Sequence, residues 1–379
     1  MLASSNTSTG SRFRSQDLSA PWRHVDVVLL VTSLIVATFG LVLVYSATRR
    51  FDGGLDIAVR QGMFVVLGVA VMAGLSMVDY RRVLDWWPVL YIASMLLLVG
   101  VMTPLGSTGA FGAARWYVFG PVVLQPVEIT KLGTIIAVAA YLGSVERVDL
   151  RRLSIVLMLV GLPFAVTMVQ PDLGSALVFV VVGVAMLVVG GVKLRHLAVL
   201  VLIGLVAIVG VLQSDALDEY QKQRLLTFAN PDAVDEAASY NVTQAQVAIS
   251  SGGLTGYGFG NGPSTRLGYV PAQRTDFIFT VVGEEFGFVG AGTLLLFYAA
   301  MIWRIWRIAQ LAANRSGTLL CVGILGMLLF HVFENVGMNL GIMPVTGLPL
   351  PLVSQGGSAV LATFASIGLV QSVHMRRYI

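Results

Sequence analysis

The sequence predicts an all-α polytopic membrane protein with ten transmembrane helices. Composition is the first reason: 56% of the 379 residues are hydrophobic and 12% are charged, about half the charge of a typical soluble domain. The apolar residues also form continuous runs of about 20 residues, the length of a membrane-spanning helix, whereas a β-barrel would show alternation over segments of about ten. A soluble enzyme and a nucleic-acid-binding module are thereby excluded. The single cysteine excludes a disulfide scaffold.

The predicted spans are joined by short connections, with one exception. They cover residues 26–46, 61–78, 84–103, 122–142, 153–170, 173–191, 196–213, 277–300, 318–340 and 350–372. The exception is a large extracytoplasmic loop between helices 7 and 8, residues 214–276, and loops of such length are usually functional. Within it, residues 217–228 place apolar side chains on one helical face, which predicts a helix at the membrane surface. Residues 240–250 predict a second helix, ended by Gly252 and Gly253.

Basic residues predict the orientation, because cytoplasmic loops carry an excess of Lys and Arg. With the N-terminus inside, most of the 24 basic residues fall in the short cytoplasmic segments. We therefore expect a cytoplasmic polar tail, 1–24, and a membrane domain, 25–379, with both termini in the cytoplasm. The net charge of +4 is then explained by topology and does not indicate a nucleic-acid partner.

Ionisable side chains inside the spans are candidates for a functional site, because each costs at least about 2.5–3.5 kcal/mol to insert. Glu128 and Lys131 are three residues apart in the fourth span and can pair on one helical face. The pair either fixes helix packing or lines a polar cavity. Asp172, between the fifth and sixth spans, either caps the following helix or faces the same cavity.

The strongest polar cluster begins at Asp276, where the long loop enters the eighth span. Asp276 is either a plain N-cap of that helix or a reactive carboxylate, and Glu284 and Glu285 follow two turns deeper. The ninth span carries a polar stripe on one face, formed by His331, Glu334, Asn335 and Asn339. Hydrogen bonding between helices is the simplest role of such a stripe.

Residues 344–358 are rich in proline and glycine and predict an irregular segment that re-enters the membrane from the outer face. Irregular backbone at that depth is tolerated where it is buried or lines a cavity. We expect one outward-facing cavity to collect the polar residues of the outer half. They are Arg60, Arg115, Glu128, Lys131, Asp172, Asp276 and, in the irregular segment, Ser354, Gly356 and Gly357.

These motifs together resemble the SEDS family, the shape, elongation, division and sporulation proteins, over residues 25–375. The matching runs are 125–131, 170–174, 223–228, 251–254, 275–279, 284–285, 349–354 and 356–358. Residues 347–351 are closer to the elongation branch than to the division branch. One departure is Gln355, where the family commonly carries Tyr.

The resemblance implies an inverting peptidoglycan glycosyltransferase that polymerises lipid II on the outer face of the bacterial cytoplasmic membrane. It implies Asp276 as the catalytic residue. Substrate-binding roles are implied for Glu128, Lys131, Asp172, Arg60, Arg115, Ser354, Gly356 and Gly357. The implied partners are lipid II, the growing lipid-linked glycan, a class B penicillin-binding protein that crosslinks the strands, and other elongation-complex membrane proteins. Whether a divalent cation, Mg²⁺ or Mn²⁺, takes part is left open.

The reaction is consistent with one carboxylate base. The 4-hydroxyl of the acceptor sugar attacks the anomeric carbon of the donor, and pyrophosphate leaves as a stable anion, whereas glycosidases need a second carboxyl to protonate the leaving group. Lys131, Arg60 or Arg115 would stabilise the departing charge. Three alternatives remain open from the sequence: a lipid II flippase, a division-type glycosyltransferase, and a scaffold that recruits cell-wall enzymes.

Overall fold

The computed structural model describes residues 24–50, 53–108, 114–120, 122–145, 148–213 and 236–378, which are mostly helical. The helices are α1 Val27–Thr48, α2 Gly54–Met77, α3 Tyr80–Asp85, α4 Trp87–Gly100, α5 Pro126–Gly143, α6 Leu150–Val169, α7 Leu173–Val189, α8 Leu194–Gln213, α9 Glu236–Ser251, α10 Pro263–Leu267, α11 Ile278–Leu311, α12 Arg315–Leu340 and α13 Gly357–Met375. Three strands, β1 Ser107–Thr108, β2 Ala114–Phe119 and β3 Val122–Leu124, lie between α4 and α5.

Seven of the described helices, α1, α2, α5, α6, α11, α12 and α13, are long and apolar enough to cross a membrane. In the described part of the chain, α4, α7 and residues Leu194–Gly204 of α8 are apolar but shorter. Large apolar side chains such as Val66, Leu96 and Leu202 lie exposed on the outside of the helices, as expected where lipid replaces water. The predicted helical membrane protein is confirmed, and the count of ten spans stays a prediction.

Several predicted spans have different boundaries in the structure: α2 begins seven residues before the predicted second span, and α11 ends eleven residues after the predicted eighth. In three other spans the helix is divided or begins late, each time beside a proline. The third span is divided at Trp86 into α3 and α4, with Pro88 in the first turn of α4. The fourth begins as strand β3 and becomes helical only at Pro126. The tenth begins at Gly357, after Pro349 and Pro351. Proline fits the first turn of a helix better than its interior, which explains why these three helices begin or divide beside a proline. The rule is not absolute, because α6 continues through Pro163.

A small antiparallel sheet contradicts the all-α expectation. Its order is β1-β2-β3, with Ser107 opposite Trp116 and Phe119 opposite Val122. Aromatic and β-branched side chains favour strands, but hydropathy assigned β3 to the start of the fourth predicted span and left β1 and β2 in the connection before it. The sheet matters for the site because β2 carries Arg115.

Helix α12 is the central element of the bundle, because it packs against α5, α7, α9, α11 and α13. Gly323 lets α5 and α7 approach α12 closely, because a Cβ added at this glycine would lie only 2.7 Å from the side chain of Ile135 and 2.8 Å from that of Met186. The polar stripe predicted on α12 is therefore enclosed by other helices: Glu334, Asn335 and Asn339 are 0% exposed, and His331 is 4% exposed.

The described part of the long loop folds onto α11 and α12. A small core joins α9 to the chain around the start of α11, and it consists of Ala245, Ala248, Val270, Phe277 and Val345. The predicted helix 240–250 is confirmed within α9. The helix predicted at 217–228 lies outside the described residues.

A glycine-rich stretch of the loop, residues 252–258, also completes an interrupted helix. At Gly287 the backbone of α11 has φ 64° and ψ −162°, so neighbouring backbone groups lose their helical partners. The amide of Tyr257 donates to the carbonyl of Glu284 at 3.1 Å, and amides just after the break donate to carbonyls of the glycine-rich stretch. The loop is thereby fixed to the helix that begins beside Asp276.

Candidate active site

Residues 341–356 connect α12 to α13 as irregular chain, and we call them the α12–α13 segment. Its leucines Leu348, Leu350 and Leu352 are each 1% exposed. The predicted irregular segment 344–358 is therefore present and buried, except that its last two residues begin α13. Such a segment needs partners for its backbone groups, because unpaired polar groups are costly away from water.

Helices α2 and α12 supply several of these partners. Gln61 of α2 donates to the carbonyl of Ser354 at 3.2 Å and accepts from the amide of Gly356 at 3.3 Å. Asn335 of α12 donates to the carbonyl of Leu348 at 2.8 Å. The segment is therefore held between two helices that are far apart in sequence. Sequence reasoning missed Gln61, although an amide within a predicted span was an available signal.

The chain leading to Asp276 runs against the α12–α13 segment. The hydroxyl of Ser354 donates to the carbonyl of Thr275, and the amide of Gln355 donates to the carbonyl of Arg274 at 2.9 Å. Gln355 therefore contributes here through its backbone. These bonds bring the predicted residues Ser354 and Asp276 to the same place.

Asp276 is not the N-cap of α11. The helix begins at Ile278 and its N-cap is Phe277, whose apolar side chain has no capping oxygen. The backbone of Asp276 is fixed from both sides, because its amide donates to the carbonyl of Ala272 at 3.1 Å. Its own carbonyl accepts from the Nδ2 of Asn335 at 2.8 Å and from that of Asn339 at 3.2 Å. Asp276 is partly exposed.

The predicted ion pair between Glu128 and Lys131 is confirmed and has a third member. Lys131 Nζ lies 2.6 Å from Glu128 Oε1 and 3.0 Å from Nε2 of His331. His331 Nδ1 lies 2.9 Å from the carbonyl of Met327, which can only accept, so Nδ1 carries the proton and Nε2 accepts from the lysine. Lys131 is 1% exposed, and the cluster joins α5 to α12.

Asp172 and Arg115 meet at the turn between α6 and α7. The predicted cap is confirmed, because Asp172 Oδ1 accepts from the amide of Ser175 at 3.1 Å. Arg115 of β2 donates from Nε to the carbonyl of Gln170 and from Nη2 to the carbonyl of Pro171, both at 2.7 Å. The guanidinium thus satisfies carbonyls at the end of α6, and both side chains remain partly exposed.

The start of α7 packs on the α12–α13 segment. A Cβ on Gly174 would lie 2.9 Å from Leu348 and from the carbonyl of Thr346. The hydroxyl of Thr346 in turn donates to Glu334 Oε1 at 2.8 Å. The turn that carries Asp172 is therefore connected through this segment to α12.

The remaining predicted residues lie where α2 meets α13. Gly357 allows close packing, because a Cβ there would lie 2.6 Å from the ring of Phe64. Gly356 acts through its amide, which donates to Gln61. Arg60 is exposed on α2, one residue before Gln61, and so lies beside these buried contacts and not within them.

The two glutamates of α11 hold other elements in place. The Glu284 carboxylate accepts from the amides of Ser264 and Thr265 at 2.6 and 2.9 Å, and from the Thr265 hydroxyl at 2.7 Å. Glu285 accepts from the hydroxyl of Ser46 at 2.6 Å. They tie α10 and α1 to α11, which gives these buried carboxyls a structural role.

Further positive charge lies near Asp276. Arg50 follows α1, and its guanidinium packs on the turn at Gly268. A Cβ added at Gly268 would lie 2.2 Å from Nη1 of Arg50. Burial and the nearby charge of Arg274 lower the pKa of Arg50. Sequence reasoning did not single out these two arginines. Among the described residues, no group of three or more His, Cys, Asp or Glu is placed to hold a metal ion.

Fold and site define a multi-pass helical membrane protein with a partly exposed aspartate at the edge of a buried polar cluster. The sequence model of a protein family described as "Cell cycle protein", that of FtsW, RodA and SpoVE, matches residues 26–379. The chain belongs to this family, and the predicted SEDS membership is confirmed.

Relatives with known names and structures cover nearly the whole chain. The peptidoglycan glycosyltransferase MrdB of Escherichia coli strain K12 is 34% identical over 357 residues, which make up 93% of this chain and 94% of that protein. A chain of a peptidoglycan synthase complex, described for its coordination of polymerization and crosslinking, is 33% identical with a TM-score of 0.80, covering 94% of this chain and 99% of that one. The rod shape determining protein RodA of Thermus thermophilus is 33% identical with a TM-score of 0.70, at the same coverages.

Proposed function

We propose that this protein is a peptidoglycan glycosyltransferase that polymerises lipid II, with Asp276 as the general base. The observation that carries the proposal is the state of Asp276, a partly exposed aspartate whose backbone is held at both its amide and its carbonyl. A general base must come within about 3 Å of the hydroxyl that it deprotonates, so it has to be both accessible and fixed. The activity named for the E. coli relative supports the same reaction.

In the proposed step Asp276 takes the proton of the acceptor's 4-hydroxyl as that oxygen attacks the anomeric carbon of the donor. The bond from that carbon to the diphosphate oxygen breaks, the electron pair leaves with the diphosphate, and the configuration inverts. Lys131 is too buried in this conformation to touch a substrate, so we assign it and Glu128 to holding α5 on α12. Exposed Arg60 and partly exposed Arg115 are the better candidates for contact with the diphosphate.

The membrane arrangement is part of the proposal. We assign ten membrane spans, of which α4, α7 and α8 are the three shorter ones. The distribution of Lys and Arg assigns both termini to the cytoplasm. Asp276, the α12–α13 segment and the long loop then lie at the outer face. A lipid-linked sugar would meet Asp276 at the boundary between membrane and water.

We also propose a class B penicillin-binding protein and other elongation-complex membrane proteins as partners. The similarity to a chain of a complex that combines polymerization with crosslinking supports a crosslinking partner. A role in elongation is favoured by the MrdB and RodA relatives. Depletion in cells tests this role, because rounding indicates elongation and filamentation indicates division.

Purified protein and lipid II in detergent provide the direct test, because polymer can form there whereas flipping has no meaning. We expect glycan from the wild type and none from Asp276→Asn or Asp276→Ala. Asp149→Asn is the matched control, because Asp149 is an exposed N-cap at the start of α6 and should keep wild-type activity. Wild-type rates from Asp276→Asn would refute the base assignment. A wild-type protein that makes no glycan would favour the flippase or the scaffold.

A further inference from the structure

The backbone of Asp276 is held by two buried asparagines of α12. Asn335 Nδ2 lies 2.8 Å from the Asp276 carbonyl and 2.8 Å from the carbonyl of Leu348. Asn339 Nδ2 lies 3.2 Å from the same Asp276 carbonyl and 2.7 Å from the carbonyl of Asn335. Both asparagines are 0% exposed, so water does not compete for these bonds.

The Asp276 carbonyl depends on these amides because helix α11 does not use it. An α-helix that included Asp276 would pair its carbonyl with the amide of Thr280. That amide instead donates to the carbonyl of Phe277, at 3.1 Å. A buried carbonyl left without a donor is costly, and the two asparagines supply the donors from another helix.

Asn335 also connects Asp276 to the α12–α13 segment. Its amide reaches the segment at Leu348, while Ser354 holds the carbonyl of Thr275 from the other side. The loop end, the segment and α12 therefore share one hydrogen-bonded junction directly beneath Asp276. A change in this junction would move the carboxylate without altering any group that faces a substrate.

We propose that Asn335, assisted by Asn339, is a positioning residue that fixes the backbone of Asp276 so that the carboxylate reaches the acceptor hydroxyl. The inference rests on the proposed function and names a residue that acts through Asp276. A displacement of about 1 Å in a reacting group can cost about 100-fold in rate. Loss of Asn335 should therefore lower kcat and leave KM nearly unchanged, because substrate contacts stay in place.

Three variants of Asn335 and one of Asn339 test the assignment in the polymerisation assay. Asn335→Leu removes the donors at similar volume, and Asn335→Asp keeps the shape but replaces the amide NH2, with its two donors, by a carboxyl oxygen. We expect both to lower kcat by about 10- to 100-fold, with KM within about threefold. Asn335→Ser retains one donor and should recover part of the lost rate. Asn339→Leu should have a smaller effect, because its bond to Asp276 is longer and Asn335 remains.

Gln371→Leu is the matched control for general destabilisation. Gln371 is also a buried amide that holds a backbone, because it donates to the carbonyl of Asp26 at 2.8 Å and accepts from its amide at 2.9 Å. Asp26 lies at the opposite end of α1 from Ser46, which contacts Glu285 of α11, and it pairs with Arg304 near the far end of α11. We expect Gln371→Leu to lower Tm but to keep kcat per folded molecule within about twofold.

The inference is overturned if Asn335→Leu keeps wild-type kcat per folded molecule, or if Gln371→Leu loses as much kcat as Asn335→Leu does. If Asn335→Leu does not fold, Asn335→Ser and Asn339→Leu carry the same comparison. Failure of the proposed function gives a different result, either a wild type that makes no glycan or an Asp276→Asn variant as active as the wild type. A wild type that polymerises, an inactive Asp276→Asn and an unimpaired Asn335→Leu would refute the positioning role alone.

Discussion

The buried pair of Glu128 and Lys131 gives a prediction whose size follows from its burial. The two side chains are 6% and 0% exposed, and the charged atoms are 2.6 Å apart. Lys131→Met keeps an unbranched side chain but leaves the Glu128 carboxylate without its cation where water is excluded. Removing one partner of a buried pair costs about 3–5 kcal/mol, so we expect the free energy of unfolding to fall by about that amount.

Removal of both charges should be milder, because the double variant Glu128→Gln/Lys131→Met leaves no uncompensated charge. The main remaining loss is at His331, whose Nε2 loses the donor that lay 3.0 Å away. An unsatisfied buried acceptor costs about 1–3 kcal/mol. The double variant should therefore be more stable than Lys131→Met by about 2 kcal/mol.

Thermal unfolding of the purified proteins in one detergent measures this order. We expect the wild type to have the highest Tm, the double variant an intermediate Tm and Lys131→Met the lowest. Lys193→Met is the control, because Lys193 is an exposed lysine before α8 and its loss should leave Tm unchanged. If the double variant were no more stable than Lys131→Met, the unpaired charge would not be the source of the loss, and the reasoning would be refuted.

Two further predictions concern stability away from this pair. Gly256→Ala should lower Tm, because Gly256 has φ +76° and a Cβ there would lie 2.2 Å from the carbonyl oxygen of Glu285. Gly74→Ala in α2 is the control and should leave Tm unchanged, because no atom lies within 4 Å of a Cβ at that position. An unchanged Tm in Gly256→Ala would contradict the close packing. Burial raises the pKa of Asp26, but hydrogen bonds from Arg304 and from the backbone outweigh it and bring the pKa below its usual value. The stability from Asp26 is then complete above its unfolded pKa of about 4 and lost as pH falls through the folded pKa. Asp26→Asn should flatten the acid side of a Tm–pH profile, and an unchanged slope would argue against this.

The parts of the site that the sequence predicts correctly are those set by local rules. The pairing of Glu128 with Lys131 follows from their spacing of three in a helix, and the cap at Asp172 follows from its place after a proline. The partner of Lys131 could not be predicted in this way. His331 is 200 residues away, and only the packing of α12 on α5 brings the two together.

The boundaries of the irregular parts illustrate the same limit. An apolar run containing Val122 and Val123 looks like the start of a span, and its pairing with β2 depends on a turn and a partner strand that hydropathy does not detect. Asp276 is a comparable case, because its position at the end of a loop predicts an N-cap by local rules. The cap falls on Phe277 instead, and the Asp276 carbonyl is bound by Asn335 of another helix, a contact that local rules do not predict.

The position of α12 bears on how Lys131 is to be interpreted. His331 holds Lys131, and Asn335, one turn further along the same face, holds Asp276; four residues of helix separate these two supports by about 6 Å. A change that lets α12 rotate or slide against α5 would therefore move the support of Asp276 as well. Loss of glycan synthesis in Lys131→Met would consequently not show that Lys131 contacts the substrate. A low kcat at unchanged KM, shared with Asn335→Leu, would instead indicate that both residues act through the placement of one carboxylate.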